Sequence, residues 1–217
     1  MIPHRTDLSQ TTETKPTIYL GGPDVFLPNA PEIGAKKQQL CLEFGFNALF
    51  PLDNNPEIRR NPKKIFKLNG DRMSAADIGL FNLTPFRGPS ADPGTVFELG
   101  YMYAQNKALV GYTSNNSKFS ERVRPITQDN DALWDASGFS VEPFGLMDNL
   151  VIVQSILDRG GFIEAEPELS KNPVDMLAAF NAFVKCLQEL KRRAAKGTFD
   201  ERTKRSIRGG QHGQVQT

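Results

Sequence analysis

The chain has 217 residues, 26 of them basic and 25 acidic, a formal charge of +1 and 39% apolar residues. That length buries a core without help from disulfides or metals, and two cysteines, Cys41 and Cys186, exclude a disulfide framework or a structural zinc site. The only histidines, His4 and His212, lie near the two ends, which removes triad, Cys-His and H-E-x-x-H chemistry and leaves catalysis to carboxylates.

The charge is unevenly spread. Residues 191–217 carry eight basic side chains against Asp200 and Glu201, a net of +6, so the remainder carries −5. That balance argues against a nucleic-acid surface on the folded part. With no signal-peptide pattern and no apolar run of 18 residues, no membrane partner and a cytoplasmic location are expected.

Residues 1–16 are polar and aperiodic and read as a disordered tail. Thr17–Leu20 reads as a strand running into Gly21-Gly22-Pro23, the entry of a doubly wound sheet. G-G-P-D lacks the dinucleotide spacing G-x-G-x-x-G, and Asp24 would repel a phosphate. A helix is expected over Pro31–Phe44, and a strand over Phe46–Phe50 that ends in Pro51-Leu52-Asp53-Asn54-Asn55. Pro62–Ala76 reads as a helix with Ile65, Phe66, Leu68 and Met73 on one side, and Asp77–Leu83 as a buried parallel strand with an acid at its head.

The stretch from Thr84 to Gln105 organises the rest. It opens as a loop broken by Pro85, Gly88, Pro89, Pro93 and Gly94, and continues from Thr95 as a helix apolar on nearly every face, the mark of a buried helix. In that helix stand Glu98 and Gly100, and neither serves folding: a helical Gly costs about 1 kcal/mol relative to Ala, and an unpartnered buried carboxylate costs more. In one reading Glu98 closes a core hydrogen-bond network while Asp92 caps the helix, with Pro93 at its first position. In the other, the two acids do acid–base or nucleophilic work.

Ala108–Tyr112 is a further strand, and Ser114–Ser140, with Trp134 inside it, is a long polar stretch expected as a functional or mobile loop. Phe144–Leu150 opens a short helix, Gly161–Ala165 is a strand, and Pro173–Arg193 is a closing helix striped by Met176, Leu177, Phe180, Phe183, Val184 and Leu187. Residues 197–217 read as a basic, disordered tail. The alternation predicts one domain over 17–196, a three-layer α/β fold on a five-stranded parallel sheet. Its ligand edge, at the carboxyl ends of the strands, gathers Tyr19 to Asp24, Asp53 to Asn55, Asn82 to Asp92 and the start of the Glu98 helix. Asp77, at the other end of its strand, fits that edge less well.

Six segments in order resemble the nucleoside 2-deoxyribosyltransferase family: T-I-Y-L-G-G-P at Thr17, P-L-D-N at Pro51, N-x7-D from Asn69 to Asp77, P-F-R-G at Pro85, D-P-G-T-V-F-E-L-G at Asp92 and F-G-L-x-x-N-L at Phe144. The resemblance spans about Thr17 to Ile152, with P-F-R-G and D-x-G-T-x-F-E most like the trypanosomatid branch. It implies a flavodoxin-like fold, no cofactor and no metal, and homo-oligomers whose sites are completed by a neighbouring subunit. Residue by residue it implies Glu98 as nucleophile, Tyr19 as the hydroxyl orienting it, Asp77 as the acid handling the nucleobase proton and Asp92 as a second acid. It also implies that Asn149 reaches the neighbour's sugar hydroxyls. Asn55 stands where another branch has a base-contacting Gln, while Gly22 and Phe86 belong to the substrate-binding segments. Asn149 alternatively caps the helix that follows it, and Asp77 alternatively serves a turn.

The substrates so implied are a 2′-deoxynucleoside and a free nucleobase. The chemistry fits the residues: a carboxylate attacks C1′ and holds the sugar while bases exchange, as in retaining glycosidases. Two other readings remain at this stage, an N-glycosidase acting on nucleoside 5′-monophosphates and a non-catalytic nucleotide-binding module.

Overall fold

Successive side chains of the buried strands alternate between the two sides of the sheet, and that alternation decides which helices cover which side. In β1 (Thr17–Gly21), Ile18 and Leu20 point to one face and Tyr19 and Gly21 to the other. The computed structural model describes residues 15–52, 55–125, 127–129, 132–167 and 180–196. β2 (Asn47–Leu49), β1, β3 (Ile78–Asn82), β4 (Ala108–Thr113) and β8 (Ile163–Ala165) form one wholly parallel sheet in that spatial order. The three-layer α/β architecture with a five-stranded parallel sheet, in flavodoxin-like order, is therefore as expected.

One face carries α1 (Ala30–Phe44) and α7 (Asn181–Ala195), whose Cys41, Phe183, Cys186 and Leu187 pack on Ile18, Leu20, Ile78, Leu80 and Val110. Both cysteines are free core thiols. The other face carries α3 (Pro62–Ala75), α4 (Pro93–Ala104) and α6 (Leu150–Asp158), with Met73, Leu99, Met102, Ile152 and Ile156 on Tyr19, Phe81 and Leu109. A single turn, α2 (Pro56–Arg59), unforeseen in the sequence, precedes α3. The chain passes from β1 outward to β2 and then back across to β3, so strand order reverses between β1 and β3, where ligand crevices form.

Three expectations need correction. Residues 114–140 are not one loop: they hold α5 (Phe119–Val123) and an antiparallel sheet of β5 (Thr127–Asp129), β6 (Ala132–Trp134) and β7 (Ser140–Val141). These strands are two or three residues long, too short for any periodicity to mark them. Helix α4 is not buried all round, because Phe97 is 55% exposed and Gly100 faces outward. Phe66 of α3, expected to pack with Ile65 and Met73, is 67% exposed and leans on Phe97 instead, ring centroids 6.1 Å apart. Most of the two predicted tails, and Met176 and Leu177 of the closing helix, lie outside the described residues. Among the described residues, no helix is long and apolar enough to cross a membrane.

Candidate active site

The edge formed by the carboxyl end of β1 and the first turn of α4 is built by close approach. Gly21 ends β1 against α4; a Cβ there would stand 2.5 Å from the Phe81 ring and 3.1 Å from Glu98 Oε2. Only a glycine lets the helix carboxylate come down onto the strand. Asp92 starts α4, its Oδ2 accepting the Thr95 N–H at 3.0 Å and the Thr95 hydroxyl at 3.2 Å. The capping reading of Asp92 and its place in the site thus hold together, since the same side chain lines the cavity that Glu98 enters.

That cavity, about 380 Å³, is walled by Gly22, Phe26, Leu52, Ile58, Asn69 and Thr95, with Asp92 and Glu98 as its carboxylates and Arg59 and Arg72 as its cations. A volume of this order accepts a small organic ligand. A second cavity of about 620 Å³ meets the first at Ile65, Asn69, Gly94 and Glu98, and opens between α3 and α4 past Phe66, Phe97 and Tyr101.

Glu98 has its pKa pushed up to about 7. Burial of the carboxylate is the main cause and the charge of Asp92 adds to it; the donors it faces, Tyr19 first and then Asn69, pull it back down. Burial, together with the Glu98 charge, drives the Tyr19 phenol far up, so it stays a proton donor at any ordinary pH. The Tyr19 hydroxyl is near enough to couple to Glu98, but in a looser geometry than a full hydrogen bond. Sites that tighten on their ligand commonly start this way. Arg72, through Nη1 on Asn69 Oδ1 at 3.3 Å, and its charge near Tyr19 complete the cluster.

Of the residues singled out in the sequence, Glu98, Tyr19, Asp92 and Gly22 come together. Asp77 does not. It stands before β3 at the amino end of the sheet, accepting the Thr17 N–H at 2.8 Å, whereas Glu98 meets β1 at Gly21, roughly 13 Å farther along the strand. Asp77 serves to close the start of the β1–β3 ladder. Phe86 does not line either cavity; it packs on the Leu27–Ala30–Ile33 cluster and stacks behind Phe26, 5.2 Å away and nearly parallel, and Phe26 is the ring on the wall. Asn55 caps α2, accepting the Glu57 N–H at 2.9 Å, and lies outside the wall that its neighbours Leu52, Ile58 and Arg59 form. Asn149 caps α6 through the Val151 N–H at 3.0 Å, and its carboxamide donates to Glu142. Both ends of its side chain are engaged within its own chain. Asp53 lies outside the described residues.

Asn69 and Arg72 went unassigned in the sequence. Their signal was the N-G-D-R segment: i, i+3 spacing sets both on one face of α3, and a helix-interior Gly70 beside them has no folding use. A buried ion pair was also missed. Lys37, 2% exposed, sits 2.7 Å from Asp24 Oδ1 and 2.6 Å from the Tyr112 hydroxyl, while Asn82 donates to the same Asp24 oxygen at 3.1 Å. This network underpins the Gly21-Gly22-Pro23 turn. Among the described residues, no group of three or more His, Cys, Asp or Glu side chains is placed to hold a metal ion.

A protein of Schizosaccharomyces pombe without an assigned activity is 33% identical over 172 residues, covering 70% of this chain and 82% of its own. The 2-deoxyribosyltransferase of Leishmania mexicana superposes with a TM-score of 0.56 at 28% identity, covering 80% of this chain and 97% of its own. A family model for nucleoside 2-deoxyribosyltransferases matches residues 18–151, from β1 through the cavity wall and α4 to the start of α6. With that match extending over more than half of its length, the chain belongs to the nucleoside 2-deoxyribosyltransferase family.

Proposed function

We propose that the protein exchanges the nucleobase of 2′-deoxynucleosides by way of a deoxyribosyl ester on Glu98. The observation that carries this reading is the Glu98 carboxylate itself, lowered through a glycine gap onto β1, facing a buried phenol that keeps its proton, in a cavity of about 380 Å³. A Glu98 oxygen bonds to C1′ as the C1′–N bond breaks, and the bonding pair leaves with the base. The acceptor base then attacks C1′ from the side the first base left, and Glu98 departs as carboxylate. The Tyr19 hydroxyl holds the nucleophilic oxygens in line. With Asp77 at the far end of the sheet, Asp92 is the acid beside Glu98 that exchanges a proton with the base. In the absence of an acceptor, water resolves the ester slowly.

The family resemblance implies a homo-oligomer, and one face suits it: exposed Phe66 and Phe97 form a ring cluster with half-buried Tyr101 beside the second cavity. For Asn149 to reach a neighbour's sugar, it would first have to release Glu142.

Incubation with deoxyadenosine and a different free base, followed by separation of the products, tests the reading. A new deoxynucleoside is expected, and a protein mass raised by one deoxyribosyl group when the acceptor is left out. Free sugar without a new nucleoside would replace the reading with a hydrolase. A 5′-monophosphate substrate belongs in the same assay, because Lys37 neutralises the Asp24 charge that would otherwise repel phosphate.

A further inference from the structure

Asp92 directly follows a residue held by a buried carboxylate, and Asn149 directly follows that carboxylate, Asp148, and is held by it. Asp148, 2% exposed, accepts the Ser90 hydroxyl and, at 2.8 Å, the Asn149 N–H on Oδ1, and the Ala91 N–H at 3.0 Å on Oδ2. A carboxylate buried to this degree requires a counter-charge as well as donors. Arg122 supplies it, with Nη2 3.6 Å from Oδ2. The guanidinium is spent on three carbonyls besides, with Nε on Pro89 at 2.6 Å, Nη1 on Ser117 and Nη2 on Met147 at 2.6 Å. One ion pair therefore ties together 89–91, 117–122 and 147–149, and neither member lines a cavity.

We propose that Asp148, braced by Arg122, is a positioning residue that sets Asp92 beside Glu98; this rests on the functional reading above. The loop that delivers Asp92 is rich in Pro and Gly and carries Arg87 in the left-handed region at φ 56°. Its own backbone closes through the Phe86 N–H on Ser90 O at 3.0 Å. Ser90 and Ala91, the last two residues before the cap, take their place from Asp148. From there α4 proceeds from Asp92 to Glu98 as a rigid rod of less than two turns.

The groups acting on Glu98 are Tyr19 from β1, Asn69 from α3 and Asp92 at the head of its own helix, while Arg72 of α3 and Arg59 of α2 line the same cavity. Of these, only Asp92 is joined to Asp148 by way of Ser90 and Ala91. Asp92 raises the Glu98 titration, so letting it swing away lowers the midpoint. The test uses the full chain with Asp148→Asn and the milder Ser90→Ala, each alone and combined with Asp92→Asn. Glu98 is followed by carbon-13 titration of the side-chain carboxyls, assigned with Glu98→Gln, and folding is checked by thermal melting.

The Glu98 midpoint is expected to fall by about 0.5 unit or more in Asp148→Asn and by less in Ser90→Ala. In the Asp92→Asn background neither change should move it further. Base exchange in Asp148→Asn should lose roughly tenfold or more in kcat/KM. An unchanged midpoint in folded Asp148→Asn, or an equal shift with and without Asp92, overturns the proposal, and if Asp148→Asn fails to fold, Ser90→Ala decides alone. Should the midpoints follow the expected pattern while the parent protein exchanges no base, the positioning role stands and the functional reading fails.

Discussion

Glu98 binds its proton more tightly in the fold than in the open chain, because the raised value of about 7 compares with an ordinary 4.5. The folded state therefore holds more protons than the unfolded state between those values, and stability falls as pH rises through that window. Glu98→Gln removes the effect. It should melt above the parent at pH 8, by the equivalent of about 1–3 kcal/mol, and level with it near pH 4, as parallel calorimetry would show. The same linkage sets one limb of the pH dependence of the proposed reaction, which needs ionised Glu98, so kcat/KM should rise with pH through about 7. Glu98→Ala should fold and lose base exchange by roughly four orders of magnitude, because binding alone does not replace a covalent nucleophile; more than a tenth of parental activity would remove Glu98 from that role.

The turn between β1 and α1 depends on a buried charge pair for its shape. Lys37 reaches under it to Asp24 and Tyr112, with the Tyr112 and Phe183 rings each 5.3 Å from its ammonium group. Breaking one partner of such a pair leaves an uncompensated charge in the core. Lys37→Met is expected to cost about 3–5 kcal/mol in denaturant unfolding, and Lys37→Met with Asp24→Asn much less. If the single substitution cost under 1 kcal/mol, the pair would be a bystander. Gly22, whose Cβ would stand 2.6 Å from Asp24 Oδ2, shows how closely the turn is pressed onto that carboxylate. The turn and α4 thus meet the site from opposite sides of β1, one held by charge and the other by a missing Cβ.

Among the described residues both faces of the sheet are covered, and several exposed apolar side chains lie on the outer sides of α3, α4 and α6. Phe66, Phe97, Val151 and Leu157 are all exposed on these helices, and scattered single exposures are ordinary whereas a contiguous apolar cluster marks a contact surface. If the proposed homo-oligomer forms through this face, Phe97→Asp shifts the protein to a smaller assembly in light scattering while leaving the fold intact. An unchanged molar mass would remove this face as the contact of the proposed assembly.

Much of this was legible in residues that fold locally. The apolar runs at Thr17–Leu20, Asp77–Leu83 and Ala108–Tyr112, punctuated by Gly and Pro, were enough for a parallel α/β sheet, because side-chain period and helix breaking depend only on near neighbours. Glu98 stood out for the same reason: a carboxylate and a glycine in an apolar helix serve no local purpose. Asp92 was readable as a cap from Pro93 alone. What only the tertiary structure decided is everything set by which strands lie side by side and which end of the sheet a residue reaches. Asp77 lost its place at the site because β3 runs parallel to β1 with its head beside Thr17, and Phe66 and Phe97 proved exposed because no described element covers α3 and α4. Lys37 on Asp24 and Arg122 on Asp148 were silent in the sequence for a common reason. A charge that finds its partner far along the chain leaves no periodicity behind it; only the packed fold brings the two within reach.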